Sequence, residues 1–210
     1  MTRWGFLADI HGYLPALERA LAGFRERGVE RIAVLGDNLG RGDSDGCIRL
    51  VRAVAHVSVV GNRDLDWQHR VGPESAAYVL SLPHVAHVDG IVFSHGDARL
   101  TRDLATNAIR TSFRRVRGWL AANVCQTWVF GHSHHARVWT IAGAGAPPVL
   151  HLDAASEALP ARIALPDDSG VPGACTIINA GSVGLPFGGM GPASATVYDS
   201  DAHYVEFFPV

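Results

Sequence analysis

Cysteine, net charge and long apolar segments are all scarce in this sequence. Three cysteines occur among 210 residues, far apart, which argues against a disulfide framework and favours a reducing compartment. Lysine and arginine total 18 against 20 acidic residues, so the chain lacks the basic composition of a dedicated nucleic-acid-binding protein. No apolar stretch approaches the ~20 residues that cross a bilayer, and no signal-peptide pattern opens the chain. These features predict a cytoplasmic protein without a membrane partner.

The length and the apolar content predict a chain that folds on its own. Hydrophobic residues make up 48% of the sequence and charged residues 18%, a balance that can bury a substantial core. A chain of 210 residues also lies below the size, roughly 250 residues, at which chains tend to split. We therefore predict one domain over residues 1–210. The oligomeric state stays open.

Short apolar runs, polar loops and helix-patterned segments alternate through the first half of the chain, which predicts an α/β fold. Trp4 to Ala8 has strand character, and residues 14–27 carry apolar side chains at helical spacing. Ser44 is the predicted cap of the next helix. The stretch 151–173 is predicted to be a hairpin or surface excursion. Further strands are predicted over 31–35, 57–60, 88–93, 127–130, 137–141 and 176–178, an antiparallel pair over 195–198 and 204–208, and further helices over 73–82 and 107–121.

Metal-competent side chains follow several of these predicted strands. They are Asp9, His11, Asp37, Asn62, His95, His132 and His134. Ligands of open α/β sheets gather at the carboxyl ends of strands, so these seven side chains are predicted to converge. Oxygen and imidazole donors together suit Mn, Fe, Zn or Co, and the lack of thiolates argues against a structural zinc site. Asp37 is the candidate bridge between two ions, which would attract phosphate and supply hydroxide near neutral pH.

The order of the motifs resembles that of the calcineurin-like metallophosphoesterases, in their small prokaryotic phosphodiesterase or phosphatase branch. The motifs are Asp9-Ile10-His11, Gly36-Asp37, Gly61-Asn62-Arg63-Asp64, Ser94-His95-Gly96-Asp97, Gly131-His132-Ser133-His134 and Asn179-Ala180-Gly181-Ser182. The resemblance implies a four-layer αββα sandwich of mixed sheets with helices on the outer faces. It implies a dinuclear site of divalent or trivalent ions that hydrolyses phosphate esters. One ion would be held by Asp9, His11, Asp37 and His134, and the other by Asp37, Asn62, His95 and His132.

Arg63 departs from the commonest family pattern, which has histidine at this position. A guanidinium cannot donate a proton near neutral pH, but it can bind a phosphoryl oxygen and stabilise charge in the transition state. We therefore predict a catalytic role for Arg63 in charge stabilisation. Esters with good leaving groups are expected to react better than simple alkyl monoesters.

Several alternatives stay open. Asp9 and Asp37 taken singly fit turn or cap positions, and any single histidine fits the surface or a hydrogen-bonded core position. Asp64 and Asp97 are predicted to accept hydrogen bonds from histidines, and His135 has no place in the ligand scheme. Asn38 and Arg41 lie near Asp37 and could contact substrate, although a solvated loop is the simpler interpretation. The rival functions are a non-catalytic metal-binding module for a protein partner and a nuclease.

Overall fold

The computed structural model describes residues 2–96, 116, 118–122, 126–153, 158–167, 170–185 and 192–210. Its helices are α1 (Leu14–Glu26), α2 (Ser44–Val54), α3 (Asn62–Trp67) and α4 (Pro73–Ser81), with a 3-10 turn at Gln68–Arg70. Its strands are β1 (Arg3–Leu7), β2 (Arg31–Val34), β3 (Val57–Ser58), β4 (Val85–Val88), β5 (Ile91–Ser94), β6 (Thr127–Phe130), β7 (Ala136–Ala142), β8 (Val149–Asp153), β9 (Ala161–Ala164), β10 (Ala174–Ala180), β11 (Ser194–Asp199) and β12 (Tyr204–Pro209).

The twelve strands form two six-stranded mixed sheets. The first sheet has the order β3-β2-β1-β11-β12-β9, in which β1, β2 and β3 are parallel. The second has the order β4-β5-β6-β10-β7-β8, in which β5, β6 and β10 are parallel. The remaining neighbours in both sheets pair antiparallel, including the predicted pair β11 and β12.

Three apolar clusters account for the layers. The cluster between the two sheets contains Trp4, Phe6, Phe93 and Val129, all buried. A second cluster packs α1 and α2 on the outer face of the first sheet through residues such as Leu17. A third places the helical residues 116 and 120 against Trp128 and Trp139 on the outer face of the second sheet. The predicted αββα sandwich is confirmed.

Three predictions of secondary structure were wrong. The run predicted as one strand over 88–93 belongs to a hairpin, because Asp89 and Gly90 take φ of 52° and 76° and turn the chain between β4 and β5. Such a turn favours an Asp-Gly pair. The stretch 151–173 is not a hairpin, since β8 edges the second sheet and β9 edges the first. The polar loop predicted after the third strand, Gly61-Asn62-Arg63-Asp64, is instead the start of a helix, because α3 begins at Asn62.

The residue that caps the N-terminus of α2 differs from the predicted one. Asp43, rather than the predicted Ser44, caps α2, because its Oδ1 accepts a hydrogen bond of 2.7 Å from the amide of Gly46. Of the helix predicted over 107–121, residues 107–115 and 117 lie outside the described residues. Among the described helices, none has the length and apolar character that crossing a bilayer requires.

Candidate metal centre

The polar loops meet at one edge of the sandwich. Asp9 and His11 follow β1, Asp37 follows β2, and Asn62 opens α3 after β3. His95 follows β5, while His132 and His134 lie between β6 and β7. Because β1, β2 and β3 are parallel in one sheet and β5 and β6 are parallel in the other, these loops emerge together. The structure brings all seven predicted side chains into one cluster; their role as metal ligands stays a prediction.

One half of the cluster contains Asp9, His11 and His134. Asp9 Oδ1 lies 3.1 Å from His134 Nε2 and 3.8 Å from His11 Nε2. The two imidazole Nε2 atoms are 3.3 Å apart. Ligand atoms about 2.1 Å from a common ion stand roughly 3.0 to 3.4 Å apart at octahedral or tetrahedral angles. These separations therefore suit a transition-metal ion with little rearrangement.

The other half contains Asn62, His95 and His132. Asn62 Oδ1 lies 2.9 Å from His132 Nδ1 and 3.2 Å from His95 Nε2, and the two ring nitrogens are 3.2 Å apart. These three atoms can each bind a cation, and their separations are those expected for ligands of one metal ion.

Asp37 lies between the two halves. Its Oδ2 is 3.4 Å from His95 Nε2 and 4.0 Å from His11 Nε2. The other oxygen, Oδ1, accepts a hydrogen bond of 2.7 Å from the amide of Arg63. One carboxylate oxygen is thereby fixed by the backbone, and the other faces both halves, as a bridging ligand requires.

The two carboxylate oxygens of Asp9 also have different neighbours. Oδ2 accepts a hydrogen bond of 2.9 Å from the amide of His132. Oδ1 is buried and, among the described residues, has no hydrogen bond of good geometry. A buried carboxylate oxygen that faces two imidazole nitrogens, at 3.1 and 3.8 Å, fits a position that binds a cation. Two groups of buried side chains could hold an ion: Asp9 with His11 and His134, and Asp9 with Asp37 and His95.

The comparisons with known proteins agree with this geometry. The family model for the calcineurin-like phosphoesterase superfamily domain matches residues 3–202. The chain belongs to the calcineurin-like phosphoesterase superfamily. This family is metal-dependent, which fits the buried carboxylates and imidazoles at the edge of the sandwich.

Individual relatives match this protein over nearly its whole length. An uncharacterised protein of Methanocaldococcus jannaschii, MJ0912, is 27% identical over 232 residues, which cover 97% of this chain and 85% of that protein. A metallophosphoesterase from Sphaerobacter thermophilus matches in structure with a TM-score of 0.71 and 25% identity, covering 100% of this chain and 88% of that one. An archaeal phosphodiesterase, 14% identical with a TM-score of 0.55 and full coverage of both chains, shares the fold.

Backbone carbonyls orient two imidazoles of the candidate metal centre. Nδ1 of His95 lies 2.7 Å from the carbonyl oxygen of Leu35, and Nδ1 of His134 lies against that of Leu185. Each Nδ1–H donates to a carbonyl, so each Nε2 is left to face the carboxylates. The rings are thus held in the tautomer that a metal ligand needs.

The carboxylates favour positive charge in each half of the site. Burial acts to lower the pKa of His95, but its hydrogen bond with Asp37 raises it to about 9. The pKa of His134 is likewise raised by Asp9 against the effect of burial. Burial lowers the pKa of the other imidazole in each half, His11 and His132. Opposite shifts within each pair are expected where two imidazoles compete for one cationic position beside a carboxylate.

Asp64 anchors two of the metal-site loops, a role the sequence analysis missed. Its carboxylate, fully buried, accepts hydrogen bonds from the backbone amides of Asp37, Asn38, Leu39 and Gly61 and from the side-chain amide of Asn38. The predicted hydrogen bond from a histidine is therefore wrong for Asp64, because its acceptor positions face backbone amides. An acidic residue three positions after Gly61, at the start of a helix, was the available signal.

The turn after β10 anchors the opposite side of the site. The side-chain nitrogen Nδ2 of Asn179 donates to Ser133 Oγ at 2.6 Å and to the carbonyl of Gly131 at 3.3 Å. Ser182 Oγ donates to the carbonyl of Asp9 at 3.0 Å. Sequence analysis singled out this turn only by resemblance; the structure gives its residues a physical role in positioning the loops of Asp9 and His132.

Two other predicted residues, Arg63 and His135, directly follow residues of the cluster in the chain. The side chain of Arg63 is 52% exposed, and its Nη1 is 3.8 Å from Asp66 Oδ2. His135 lies beside His134 without joining either half of the cluster. Asp97 lies outside the described residues.

Proposed function

We propose that this protein is a phosphoesterase that depends on two metal ions, with phosphate esters as substrates. Asp9, His11, Asp37 and His134 would hold one ion, and Asp37, Asn62, His95 and His132 the other. The observation that carries the proposal is the single oxygen of Asp37, Oδ2, that faces imidazoles of both halves while Oδ1 is held by the amide of Arg63. Bound cations supply hydroxide at neutral pH and neutralise charge on phosphoryl oxygens.

The protein's own contribution is to hold the ligands rigidly and to provide further charge. Backbone amides fix one oxygen of each carboxylate, and carbonyls fix the rings of His95 and His134. Preorganised groups of this kind need no reorganisation when charge develops on the substrate. Arg63, exposed at the start of α3 and only loosely paired with Asp66, could turn toward a phosphoryl oxygen.

Metal stoichiometry tests the shared ligand. Elemental analysis of the protein loaded with manganese should find two ions per chain. Asp37→Asn should lower the content of both ions, whereas His132→Ala should retain one. Asp89→Asn, in the hairpin turn at the opposite end of β5, is the matched control and should retain both. Equal losses in the Asp37 and His132 variants would contradict the assignment of Asp37 as the bridge.

Hydrolysis tests the reaction. The manganese-loaded protein should release p-nitrophenol from p-nitrophenyl phosphate or bis-p-nitrophenyl phosphate, and Asp37→Asn should lose this activity. A protein that holds two ions but hydrolyses neither ester would instead favour a non-catalytic binding module. Hydrolysis of DNA or RNA with steep salt dependence would favour a nuclease.

The Arg63 hypothesis has its own comparison. Wild type should prefer p-nitrophenyl esters to alkyl esters, since a guanidinium does not protonate the leaving group. Arg63→His should narrow that preference by restoring a proton donor. An unchanged ratio of the two rates would remove the proposed role of Arg63. The single domain over 1–210 and the cytoplasmic location stay predictions.

A further inference from the structure

We propose that Tyr13 and Arg41 form a nucleotide-binding rim beside the metal centre, with the base on the Tyr13 ring and a further phosphate on Arg41. This inference rests on the proposed function, because it assumes that the metal centre holds the first phosphoryl group. The two residues stand on the loops that carry His11 and Asp37. The structure supports the proposal through the contact between these loops, the exposure of both side chains, and their place beside the cluster.

The two loops are in direct backbone contact. A Cβ atom at Gly40 would come within 2.0 Å of the carbonyl oxygen of His11, and one at Gly42 within 2.2 Å of that of Gly12. The amide of Gly12 also donates to the carbonyl of Asn38 at 2.9 Å. Arg41, between Gly40 and Gly42, therefore lies on a loop that contacts the backbone of His11, a predicted metal ligand. Tyr13 follows Gly12 in the chain.

Tyr13 lies next to the segment that orients His134. Its Cβ is 3.1 Å from the position a Cβ would take on Gly184, and the amide of Gly184 donates to the carbonyl of Asp9. The next residue, Leu185, provides the carbonyl against His134 Nδ1. The Cβ of Tyr13 therefore lies beside the segment that orients His134, next to the half of the cluster that contains Asp9 and His11.

Both side chains are available for a ligand. Tyr13 is 42% exposed, although a large aromatic side chain is normally more stable when buried. Arg41 is exposed and has no ion pair with any residue in the described part of the chain. An exposed ring and an exposed guanidinium next to a phosphate-binding centre match a planar base and additional negative charge. Nucleotides combine these two features on one phosphate ester.

Binding, followed separately from turnover, tests the proposal. Isothermal titration calorimetry on the manganese-loaded protein would compare ribose 5-phosphate, AMP and α,β-methylene-ADP, while phosphate release is measured in parallel samples. AMP should bind about tenfold more tightly than ribose 5-phosphate because its base stacks on an aromatic ring. Tyr13→Phe should keep this ratio and Tyr13→Ala should abolish it. Leu80→Ala, an exposed apolar position on α4, is the control.

The proposed contact of Arg41 with a further phosphate has its own test, with a matched control. α,β-methylene-ADP should bind wild type more tightly than AMP, and Arg41→Gln should reduce that gain about three- to fivefold, the size expected for an exposed ion pair. Arg49→Gln, an exposed arginine on α2, should leave the gain unchanged. Equal binding of AMP and ribose 5-phosphate to wild type would overturn the proposal. So would a Tyr13→Ala variant that weakens both ligands equally, since that result indicates a merely structural role.

The outcome separates this proposal from the proposed function. Hydrolysis of p-nitrophenyl esters without discrimination for the base would refute the nucleotide rim and leave the phosphoesterase assignment intact. Discrimination that depends on Tyr13, in a protein that hydrolyses no ester, would support the rim and refute the hydrolase.

Discussion

Replacing Asp64 by asparagine should destabilise the protein far more than its isosteric character suggests. The carboxylate accepts three hydrogen bonds at Oδ2, from the amides of Asp37 and Gly61 and the side chain of Asn38. It accepts two more at Oδ1, from the amides of Asn38 and Leu39. An asparagine must place its NH2 group at one of these positions, where it meets N–H donors. At least two hydrogen bonds are lost.

The magnitude follows from burial. Asp64 has no exposed surface, so water cannot replace the lost acceptor. Each buried donor left unsatisfied costs about 1 to 3 kcal/mol. With the NH2 group in the less crowded position, at Oδ1, two donors are affected, and the free energy of unfolding should fall by roughly 2 to 6 kcal/mol. The effect should be present without metal, because it arises in the hydrogen bonds between the loops.

Urea unfolding of the metal-free proteins at pH 8 is the assay. Burial, with a smaller contribution from the charge of Asp37, raises the pKa of Asp64 to about 6, so the wild-type carboxylate is ionised at this pH. Asp66→Asn is the control, since the Asp66 side chain is 61% exposed and, among the described residues, its ion pair is with Arg63. That control should cost less than about 0.5 kcal/mol. A loss below about 1 kcal/mol in Asp64→Asn would refute the argument that these five hydrogen bonds hold the loops.

Three further predictions concern other parts of the molecule. Manganese at about 100 times its dissociation constant should stabilise the wild-type fold by ~2.7 kcal/mol and raise its thermal midpoint, whereas Asp37→Asn should show little response. Asn179→Ala should lower metal occupancy through the loop of Ser133 and Gly131, measured by elemental analysis; unchanged occupancy would contradict the positioning role. Burial by itself would raise the pKa of Glu206, but hydrogen bonds from Arg162 and Arg27 lower it. The stabilisation from this carboxylate is therefore present above its unfolded pKa of about 4.3 and is lost as the pH falls through the lower folded pKa. Glu206→Gln should therefore cost roughly 1 kcal/mol near pH 7, and a difference that does not shrink as the pH falls below the unfolded pKa would refute the electrostatic cause.

The arrangement of the site was predictable from the sequence because it depends on topology. Asp9, Asp37, Asn62 and His95 each follow a predicted strand, and strands of one direction place their ends at one edge. The positions of these residues after predicted strands were enough to predict that their side chains converge. Apart from the run over 88–93, the predicted strands of the first half were recovered with shifts of their ends, since apolar periodicity reports which segments are buried.

The errors arose where local patterns carry little information. β8 and β9 belong to different sheets, and the pairing of β9 with β12 depends on chain segments about 40 residues apart. No local periodicity specifies such a partner. The hydrogen bonds of Asp64 were missed for a similar reason, because they join a loop after β2 to the start of α3. The Asp89-Gly90 turn, by contrast, was a local signal that the single-strand prediction overlooked.

The backbone of the site explains why so many hydrogen bonds surround it. Five of the seven predicted ligands have positive φ between 51° and 67°: Asp9, His11, Asp37, His132 and His134. Asp and His tolerate this left-handed region better than most residues, yet each such position costs of the order of 1 kcal/mol, so five approach the lower bound of a typical protein's net stability. The surrounding contacts must offset that cost, and Asp64, Asn179 and Ser182 provide them by hydrogen bonds to the backbone of Asp37, Gly131 and Asp9. Substitutions at these three residues should therefore act first on the stability of the metal-free protein and, through it, on metal binding, whereas Asp37→Asn removes a ligand directly.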